Sequence, residues 1–177
     1  MPIPTINPLS QYPIAELYAM FRDIYSSSAG MSETLEERYP TRKSLAEEIN
    51  SLVNQAGTIA LAAEIASRPV GYLTIKPRRQ AKLSHTADLN IGVIEAMRGA
   101  GIGNTLLKTG ITRALASAEL EIIYLMVRAD NTPALRLYEK NGFSRLATMK
   151  NDIKIGNDYF DGLLLRRFVY STPPVCG

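Results

Sequence analysis

One stretch near the middle of the chain, LNIGVIEAMRGAGIGN from Leu89 to Asn104, constrains the fold more than any other. Its first five residues alternate apolar with small or polar side chains, which is the period of a half-buried β-strand. A glycine-rich turn follows at 98–103, and a helical pattern opens at Asn104. The first turn of a helix has unpaired amides and lies at the positive end of the helix dipole. A strand, a glycine turn and a helix N-terminus in succession therefore predict an anion site.

The spacing of the glycines narrows the kind of anion site. A dinucleotide-binding turn needs G-x-G-x-x-G, but the sixth position is Asn104 counted from Gly99 and Leu106 counted from Gly101. A P-loop ends in Gly-Lys followed by Ser or Thr, and the sequence contains no such tripeptide. The pattern that does occur is R-x-x-G-x-G, from Arg98 to Gly103.

A second element, NTPALRLYEKNGF from Asn131 to Phe143, follows a buried apolar strand at 122–127. With the glycine turn, it resembles the two acetyl-CoA signatures of the GNAT N-acetyltransferases, R-x-x-G-x-G and N-x-x-A-x-x-x-Y-x-x-x-G-F. Their order and spacing also match that family. The resemblance covers residues 57–168 well and the N-terminal third only in outline.

The resemblance implies an α/β fold with a single mixed, mostly antiparallel sheet, a splayed central parallel strand pair and helices on both faces. Apolar spacing predicts helices that start at Pro13 and Thr41, with an irregular loop at 31–40 between them. Phe21 and Tyr25 on the first helix either pack in the core or, as in similar GNAT proteins, wall the acceptor pocket. The remaining strands are predicted at 58–66, 70–76, 83–94, 143–149 and 159–168, with a solvated basic connection at 77–82.

Composition limits the class of protein. A chain of 177 residues that is 46% hydrophobic predicts one domain, residues 1–170, followed by a flexible tail at 171–177. One cysteine, Cys176, and one histidine leave no disulfide framework and no metal site to expect. The sequence shows no secretory signal and no apolar run of about 20 residues, so we expect a cytoplasmic protein without a membrane span. The net charge of +3 suits an anionic cofactor, and its scattered distribution argues against nucleic acid as a partner.

The resemblance implies acetyl-CoA as the co-substrate, without a metal. Backbone groups of Ile91, Gly92 and Val93 would pair with the pantetheine arm, and an amide of this strand would stabilise the oxyanion of a tetrahedral intermediate. Asn131 would hydrogen-bond the arm, or it caps its helix; Thr132 is expected as the N-cap. The pyrophosphate would be bound by the glycine turn and the helix start, which comprise Arg98, Gly99, Ala100, Gly101, Ile102, Gly103 and Asn104.

Three residues are candidates for proton transfer. Tyr138 occupies the position of the family's general acid, and the alternative is a core tyrosine. A phenol of pKa ~10 that protonates a thiolate of pKa ~8.5 works uphill by roughly 2 kcal/mol. Asp88, where many relatives have glutamate, and His85 are the candidate bases. Their odd and even positions point them to opposite faces of a regular strand. Asp88 could instead be a carboxylate on the surface of the sheet, and His85 a strand-entry residue.

The expected activity is acetyl transfer from acetyl-CoA to a primary amine of a small molecule, above all to the α-amino group of an amino acid. The alternatives are a protein N-terminal acetyltransferase and a non-catalytic acyl-CoA sensor. The segments at 85–88 and 156–161 resemble a GNAT branch of amino-acid and small-amine acetyltransferases, and there Tyr159 and Asp161 either line the acceptor site or belong to a turn. Homodimers are frequent in the family, so a homodimer is compatible with the resemblance.

Overall fold

The computed structural model describes residues 3–28, 30–31, 33–117 and 119–170. The expected tail at 171–177, with Cys176, lies outside these residues. The helices are α1 (Ile14–Ser27), α2 (Leu35–Arg38), α3 (Arg42–Asn54), α4 (Ile102–Leu115) and α5 (Thr132–Lys140). The strands are β1 (Thr5–Pro8), β2 (Ile59–Ile65), β3 (Arg68–Pro77), β4 (Thr86–Val93), β5 (Ile122–Arg128), β6 (Ser144–Ile155) and β7 (Asp158–Phe168).

The strands form one sheet in the order β1-β2-β3-β4-β5-β7-β6. Every neighbouring pair is antiparallel except β4 and β5, which run parallel. Their pairing extends only from Thr86 opposite Ile122 to Asp88 opposite Tyr124, although both strands continue beyond it. β4 and β5 therefore separate and leave a gap, here called the wedge. The expected mixed sheet with a splayed parallel pair is confirmed.

Side chains alternate along each strand, so the sheet has two faces. The α4 face carries the larger core, in which α4 packs on β2, β3 and β4 and which also includes Leu125 of β5 and Leu165 of β7. The α1 face carries a second core, in which α1 and α3 pack on β2 and β3 around Tyr72. Helices on both faces are therefore confirmed.

The α1 face is covered only in part. The core residues of β5 and β7 lie on the α4 face, so Tyr124, Met126, Leu164 and Arg166 lie on the α1 face by alternation. Their side chains are half-buried or exposed, and Met126 is 49% exposed. The α1 face is thus open beside the wedge, between the α1–α3 pair and the β6–β7 hairpin.

Two segments differ most from the sequence-based expectation, besides smaller shifts at the start of β4, which begins at Thr86 rather than at 83, and of α4, which begins at Ile102 rather than at Asn104. The predicted irregular loop at 31–40 contains α2, because Thr34 and Glu37 form a reciprocal capping box with hydrogen bonds of 2.7 and 3.2 Å. β6 does not end at 149 but continues to Ile155, with a register shift between Met149 and Ile153. A positive φ of 54° at Asn151 accommodates this irregularity within the hairpin.

The aromatic residues of α1, Phe21 and Tyr25, were expected either to pack in the core or to wall the acceptor pocket. Phe21 is 1% exposed and packs on the rings of Tyr39 and Tyr72, with centroid distances of 5.1 and 4.5 Å, so it is a core residue. Tyr25 is half-buried beside it at 6.4 Å. Neither residue lines the cavity that occupies the wedge.

Candidate active site

A cavity of about 480 Å³ occupies the wedge. Its walls are β4 from Leu89 to Val93, Met126 and Val127 of β5, the glycine turn with the first turn of α4, α5, and residues at and beyond the end of α1. Most of the predicted cofactor residues line it, namely Ile91, Gly92, Val93, Arg98, Gly99, Gly101, Ile102, Gly103, Asn104, Asn131 and Tyr138. Ala100 does not line the cavity.

Two glycines of the turn have backbone conformations that disfavour any other residue. Gly99 and Gly101 have φ values of +77° and +81°, the left-handed region that an L side chain strains. A Cβ on either would meet no atom within 4 Å, so the space beside both is open. Gly103 differs, because its Cβ would point at Leu137 Cδ2 at 3.4 Å and Val93 Cγ2 at 3.9 Å. Only the first two glycines face open space.

The start of α4 supplies hydrogen-bond donors to this space. The backbone of Thr105 donates to the carbonyl of Gly101 at 3.0 Å and closes the first turn of the helix. The amides of Ile102, Gly103 and Asn104 precede that bond and have no carbonyl within the helix to donate to. They lie along the cavity at the positive end of the helix dipole, which is the geometry of an anion site.

Arg98 fastens the glycine turn to α1. Its Nε donates to the carbonyl of Val93 at 3.1 Å, and its Nη1 and Nη2 donate to the carbonyl and Oγ of Ser27 at 3.0 and 2.6 Å. Close by, the amide of Glu95 donates to Oδ1 of Asp23 at 3.0 Å. The charge of Arg98 lies at the edge of the cavity, and its hydrogen bonds hold the wall on either side of the turn.

The start of α5 corrects one expectation. Asn131, not Thr132, is the N-cap, since Oδ1 of Asn131 accepts a hydrogen bond from the amide of Ala134 at 3.3 Å. Thr132 is the first residue of the helix and has Pro133 beside it. Capping occupies only the oxygen of Asn131. Its Nδ2 makes no hydrogen bond to the described residues, so the cap can still donate into the cavity that it lines.

Tyr138 is both a core residue and a residue of the cavity wall. Its side chain is 8% exposed, and its ring meets that of Phe143 edge-on at a centroid distance of 5.8 Å. Burial raises the pKa of Tyr138 to about 12, because the phenolate would lose its hydration. The hydroxyl makes no hydrogen bond within the described part of the chain. It is therefore a protonated donor at neutral pH.

The two candidate bases lie elsewhere. His85 precedes β4, where its carbonyl accepts hydrogen bonds from the amides of Glu121 and Ile122 at 2.8 and 3.2 Å. Asp88 lies on the α1 face and forms a bidentate ion pair with Arg78, Oδ1 to Nη2 at 2.8 Å and Oδ2 to Nε at 3.1 Å. Neither residue lines the cavity, and the described lining includes no aspartate, glutamate, histidine or lysine.

Two residues of the wedge were not singled out from the sequence. Asn90 and Met126 line the cavity from its two strands, just beyond the last pairing of β4 with β5. Asn90 is exposed, and its side chain makes no hydrogen bond among the described residues. It lies two residues after Asp88 and so on the same face. Because residues two apart on a strand share a face, the sequence alone could have placed Asn90 beside Asp88.

Gly92 explains how α1 closes the wall beside the wedge. A Cβ there would stand 2.7 Å from Cγ2 of Ile24 and 2.8 Å from Cε1 of Tyr72, too close for any side chain. Ile24 and Tyr72 also line the cavity, as does Met31. The glycine therefore allows the side chains of Ile24 and Tyr72 to approach the backbone of β4.

Two further properties of the described residues concern membrane spans and metal binding. They include no helix that is long and apolar enough to cross a bilayer. They also include no group of three or more histidine, cysteine, aspartate or glutamate side chains arranged to hold a metal ion.

The chain is similar to known proteins over most of its length. Residues 14–143 match the model of the Acetyltransferase (GNAT) family. The chain is 28% identical over 150 residues to the L-amino acid N-acetyltransferase AaaT of Escherichia coli (strain K12), an alignment that covers 85% of this chain and 91% of that protein. It is 32% identical over 108 residues to an N-alpha-acetyltransferase of Sulfurisphaera tokodaii, covering 55% of this chain and 64% of that one.

Solved structures share the fold. An acetyltransferase of the GNAT family from Streptococcus pneumoniae superposes with a TM-score of 0.88 at 23% identity, over 94% of this chain and 99% of that one. YncA from Salmonella typhimurium, solved with its cofactor acetyl-CoA, superposes with a TM-score of 0.84 at 17% identity, over 99% and 100% of the two chains. The family match spans the glycine turn, the wedge and α5, and this chain belongs to the GNAT family of acetyltransferases.

Proposed function

We propose that this protein transfers the acetyl group of acetyl-CoA to an α-amino group, either of a free amino acid or of a peptide N-terminus. The observation that carries the proposal is the composition of the wedge cavity. It has an anion site at one end, a buried phenol in its wall and no side-chain base among its described lining residues. The names of two relatives support the same class of acceptor, since one is an L-amino acid N-acetyltransferase and the other an N-alpha-acetyltransferase.

The chain's own residues fit acetyl-CoA, which supplies an activated acyl group when bound. The amides that open α4 would hold its pyrophosphate, with Gly99 and Gly101 leaving room for close approach. From Leu89 onward, the edge of β4 that faces the wedge has no partner strand and could pair with the amides of an extended arm. Nδ2 of Asn131 would add one donor to that arm.

Two groups would stabilise charge during transfer. A backbone amide of β4 in the wedge would donate to the oxygen on which negative charge develops. The hydroxyl of Tyr138 would donate to the departing sulfur. With the pKa of Tyr138 at about 12, complete proton transfer to a thiolate of pKa ~8.5 is uphill by about 5 kcal/mol. Hydrogen-bond donation is thus the role that the burial of Tyr138 favours.

The acceptor must lose its proton without help from a carboxylate or imidazole in the cavity. A lysine-type amine of pKa ~10.4 is neutral in about one molecule in 2,500 at pH 7. An α-amino group at a peptide N-terminus, of pKa ~7.7–8.0, is neutral in roughly a tenth of molecules, and the α-amine of a free amino acid, although more basic than that, is still a weaker base than a lysine side chain. The carboxamide of Asn90 can orient such an amine at the mouth of the wedge, but it cannot remove a proton. A weakly basic α-amine is therefore the acceptor that this cavity suits.

The test is thiol release from acetyl-CoA across a panel of amines. We expect kcat/KM at pH 7 to be higher for an L-amino acid or a short peptide than for a polyamine of matched size. A clear advantage for the polyamine would overturn the assignment of the acceptor. Binding of acetyl-CoA without thiol release for any amine would instead favour a non-catalytic sensor.

The pH profile gives a second test of the same proposal. Without a base in the cavity, kcat/KM should rise with pH and level off near the pKa of the acceptor amine itself. Two acceptors with amines of different pKa should then give profiles displaced by that difference. A common inflection for both acceptors would identify an ionising group of the protein and contradict the proposal.

A further inference from the structure

We propose that Arg78 binds the carboxylate of the acceptor and that the acceptor is therefore a free amino acid rather than a peptide N-terminus. This inference rests on the proposed acetylation of α-amines and adds the part of the substrate that is recognised. Arg78 belongs to the basic connection at 77–82, which the sequence alone explains as a solvated loop. The structure instead folds its side chain back over the α1 face of the sheet.

The position of Arg78 follows from the strand register. Lys76 lies opposite Asp88, Asp88 opposite Tyr124, and Tyr124 opposite Arg166, so these residues form one row across four strands. The row includes Asp88 and Tyr124, the last residues that pair before β4 and β5 separate. Arg78 reaches into it from the end of β3 through its ion pair with Asp88. We call these five residues the charged row: Lys76, Arg78, Asp88, Tyr124 and Arg166.

The distance from the charged row to the wedge suits a small zwitterion. Asn90 lies two residues beyond Asp88 on the same face, which corresponds to about 6.5 Å along a strand. A molecule that contacts both levels through hydrogen bonds of about 3 Å needs only the length of an amino-acid backbone. An amine at the level of Asn90 therefore places the carboxylate of the same molecule at the level of Arg78.

The guanidinium of Arg78 is held firmly and still has donors to offer. Nε and Nη2 donate to Asp88, and the group lies 4.9 Å above the ring of Tyr124. Nη1 makes no hydrogen bond to a described residue, and 34% of the side chain is exposed. A fixed planar guanidinium with a free edge is well suited to a carboxylate, since it loses little side-chain freedom on binding.

The charge balance around the row also favours an anion. Lys76 pairs with Glu48 at 3.2 Å and Arg78 pairs with Asp88 at 2.8 Å. Arg166 lies 4.7 Å from the ring of Phe168 and forms no ion pair among the described residues. Three cations therefore stand against two carboxylates on an open face. A carboxylate would balance this excess, whereas the uncharged carbonyl of a peptide N-terminus would not.

Arg98, the cation of the glycine turn, is less suited to bind the carboxylate of an acceptor. Three nitrogens of Arg98 already donate to Val93 and Ser27, and the residue lies at the anion end of the cavity. Arg78 lies instead outside the cavity, on the open part of the α1 face, which an acceptor could reach while the cavity is filled.

The experiment compares L-leucine, L-methionine and L-phenylalanine with their carboxamides as acceptors, in the natural protein and in Arg78→Gln. We expect the natural protein to prefer at least one acid over its amide by tenfold or more in kcat/KM. This is a stringent comparison, because the amide carries the more weakly basic amine. Arg78→Gln should lose tenfold or more for the acid, mainly through KM, and change little for the amide. The KM for acetyl-CoA should stay unchanged.

Arg79→Gln is the matched control. Arg79 is the adjacent arginine of the same connection, and its only hydrogen bond among the described residues is a long one of 3.4 Å to Oγ of Ser51. This variant should keep the preference for the acid. Equal losses for acid and amide in Arg78→Gln would show a merely structural role and overturn the inference.

If Arg78→Gln does not fold, the comparison of acids with amides in the natural protein still tests the inference. Amides acetylated as well as acids would overturn the role of Arg78 and leave a peptide N-terminus as the acceptor, while the proposed α-amine acetylation would stand. If neither acids nor amides nor short peptides are acetylated, the proposed function itself fails.

Discussion

The side chains of Asn141 and Asn104 are joined in one defined orientation. Nδ2 of Asn141 donates to the carbonyl of Leu137 at 2.8 Å and to Oδ1 of Asn104 at 3.0 Å. Because the Leu137 carbonyl can only accept, Asn141 must present its nitrogen, and Asn104 must in turn present its oxygen. Nδ2 of Asn104 is therefore left to donate into the cavity at the first turn of α4.

Replacing Asn104 with aspartate should weaken acetyl-CoA binding by tenfold or more. The change removes a donor and places a negative charge beside the anion site. Calorimetric titration at two salt concentrations measures the effect, since salt should reduce the repulsive part of it. Asn157→Asp in the exposed β6–β7 turn makes the same change of charge far from the cavity and should bind normally. An unchanged affinity in Asn104→Asp would remove Asn104 from the cofactor site.

The glycines of the turn should respond differently to alanine. Gly101→Ala forces a left-handed backbone on a residue with a Cβ and should destabilise the fold by roughly 1 kcal/mol. Its methyl group would also enter the open space beside the turn, so acetyl-CoA affinity should fall severalfold. Gly103→Ala directs its methyl group at Leu137 and Val93 and should bind nearly as well as the natural protein. Equal affinities for both variants would show that the pyrophosphate does not lie against Gly101.

Tyr138→Phe should lower turnover with little change in acetyl-CoA affinity. The ring packing against Phe143 survives, and only the hydroxyl is lost. General acid catalysis typically contributes 10²–10⁴-fold, and a donor whose pKa is raised to about 12 should lie near the lower end of that range. Single-turnover measurements at saturating substrates check the step itself. Near-normal turnover would leave Tyr138 as a packing residue alone.

The same burial predicts a loss of stability at alkaline pH. The pKa of Tyr138 is about 12 in the folded protein and ~10 in the unfolded chain, so the unfolded state ionises first. The resulting stability is complete below pH 10 and is lost as the pH rises from 10 toward 12. Tyr138→Phe should show a shallower decline of the free energy of unfolding over this window. Tyr25, also raised to about 12, will retain part of the slope. Identical slopes would indicate that Tyr138 titrates normally.

The sequence predicted the features that depend on backbone conformation and on strong local patterns. The strand, the glycine turn and the helix follow one another as the glycine spacing predicts, because Gly99 and Gly101 need positive φ values, although α4 begins two residues before the predicted Asn104. The splay of β4 and β5 came from the family resemblance, since nothing in the apolar pattern of either strand marks where pairing stops.

The features that depend on side-chain partners far away in the chain were less predictable. The choice between Asn131 and Thr132 as the cap is decided by geometry at a single amide. The ion pair of Asp88 requires a residue just beyond the end of the preceding strand to fold back over the sheet. Asn90 has no motif of its own and becomes notable only because β5 has left its side.

The wedge has a consequence for how such a site can change over time. Its ligand-facing edge is made of main-chain groups, which almost every residue type provides. Substitutions along β4 can therefore alter the neighbours of an acceptor on the α1 face while the edge that would receive the cofactor arm stays the same. If the acyl donor and the acceptor bind as proposed, separate parts of the same strand serve them, so specificity for one can change without disturbing the other.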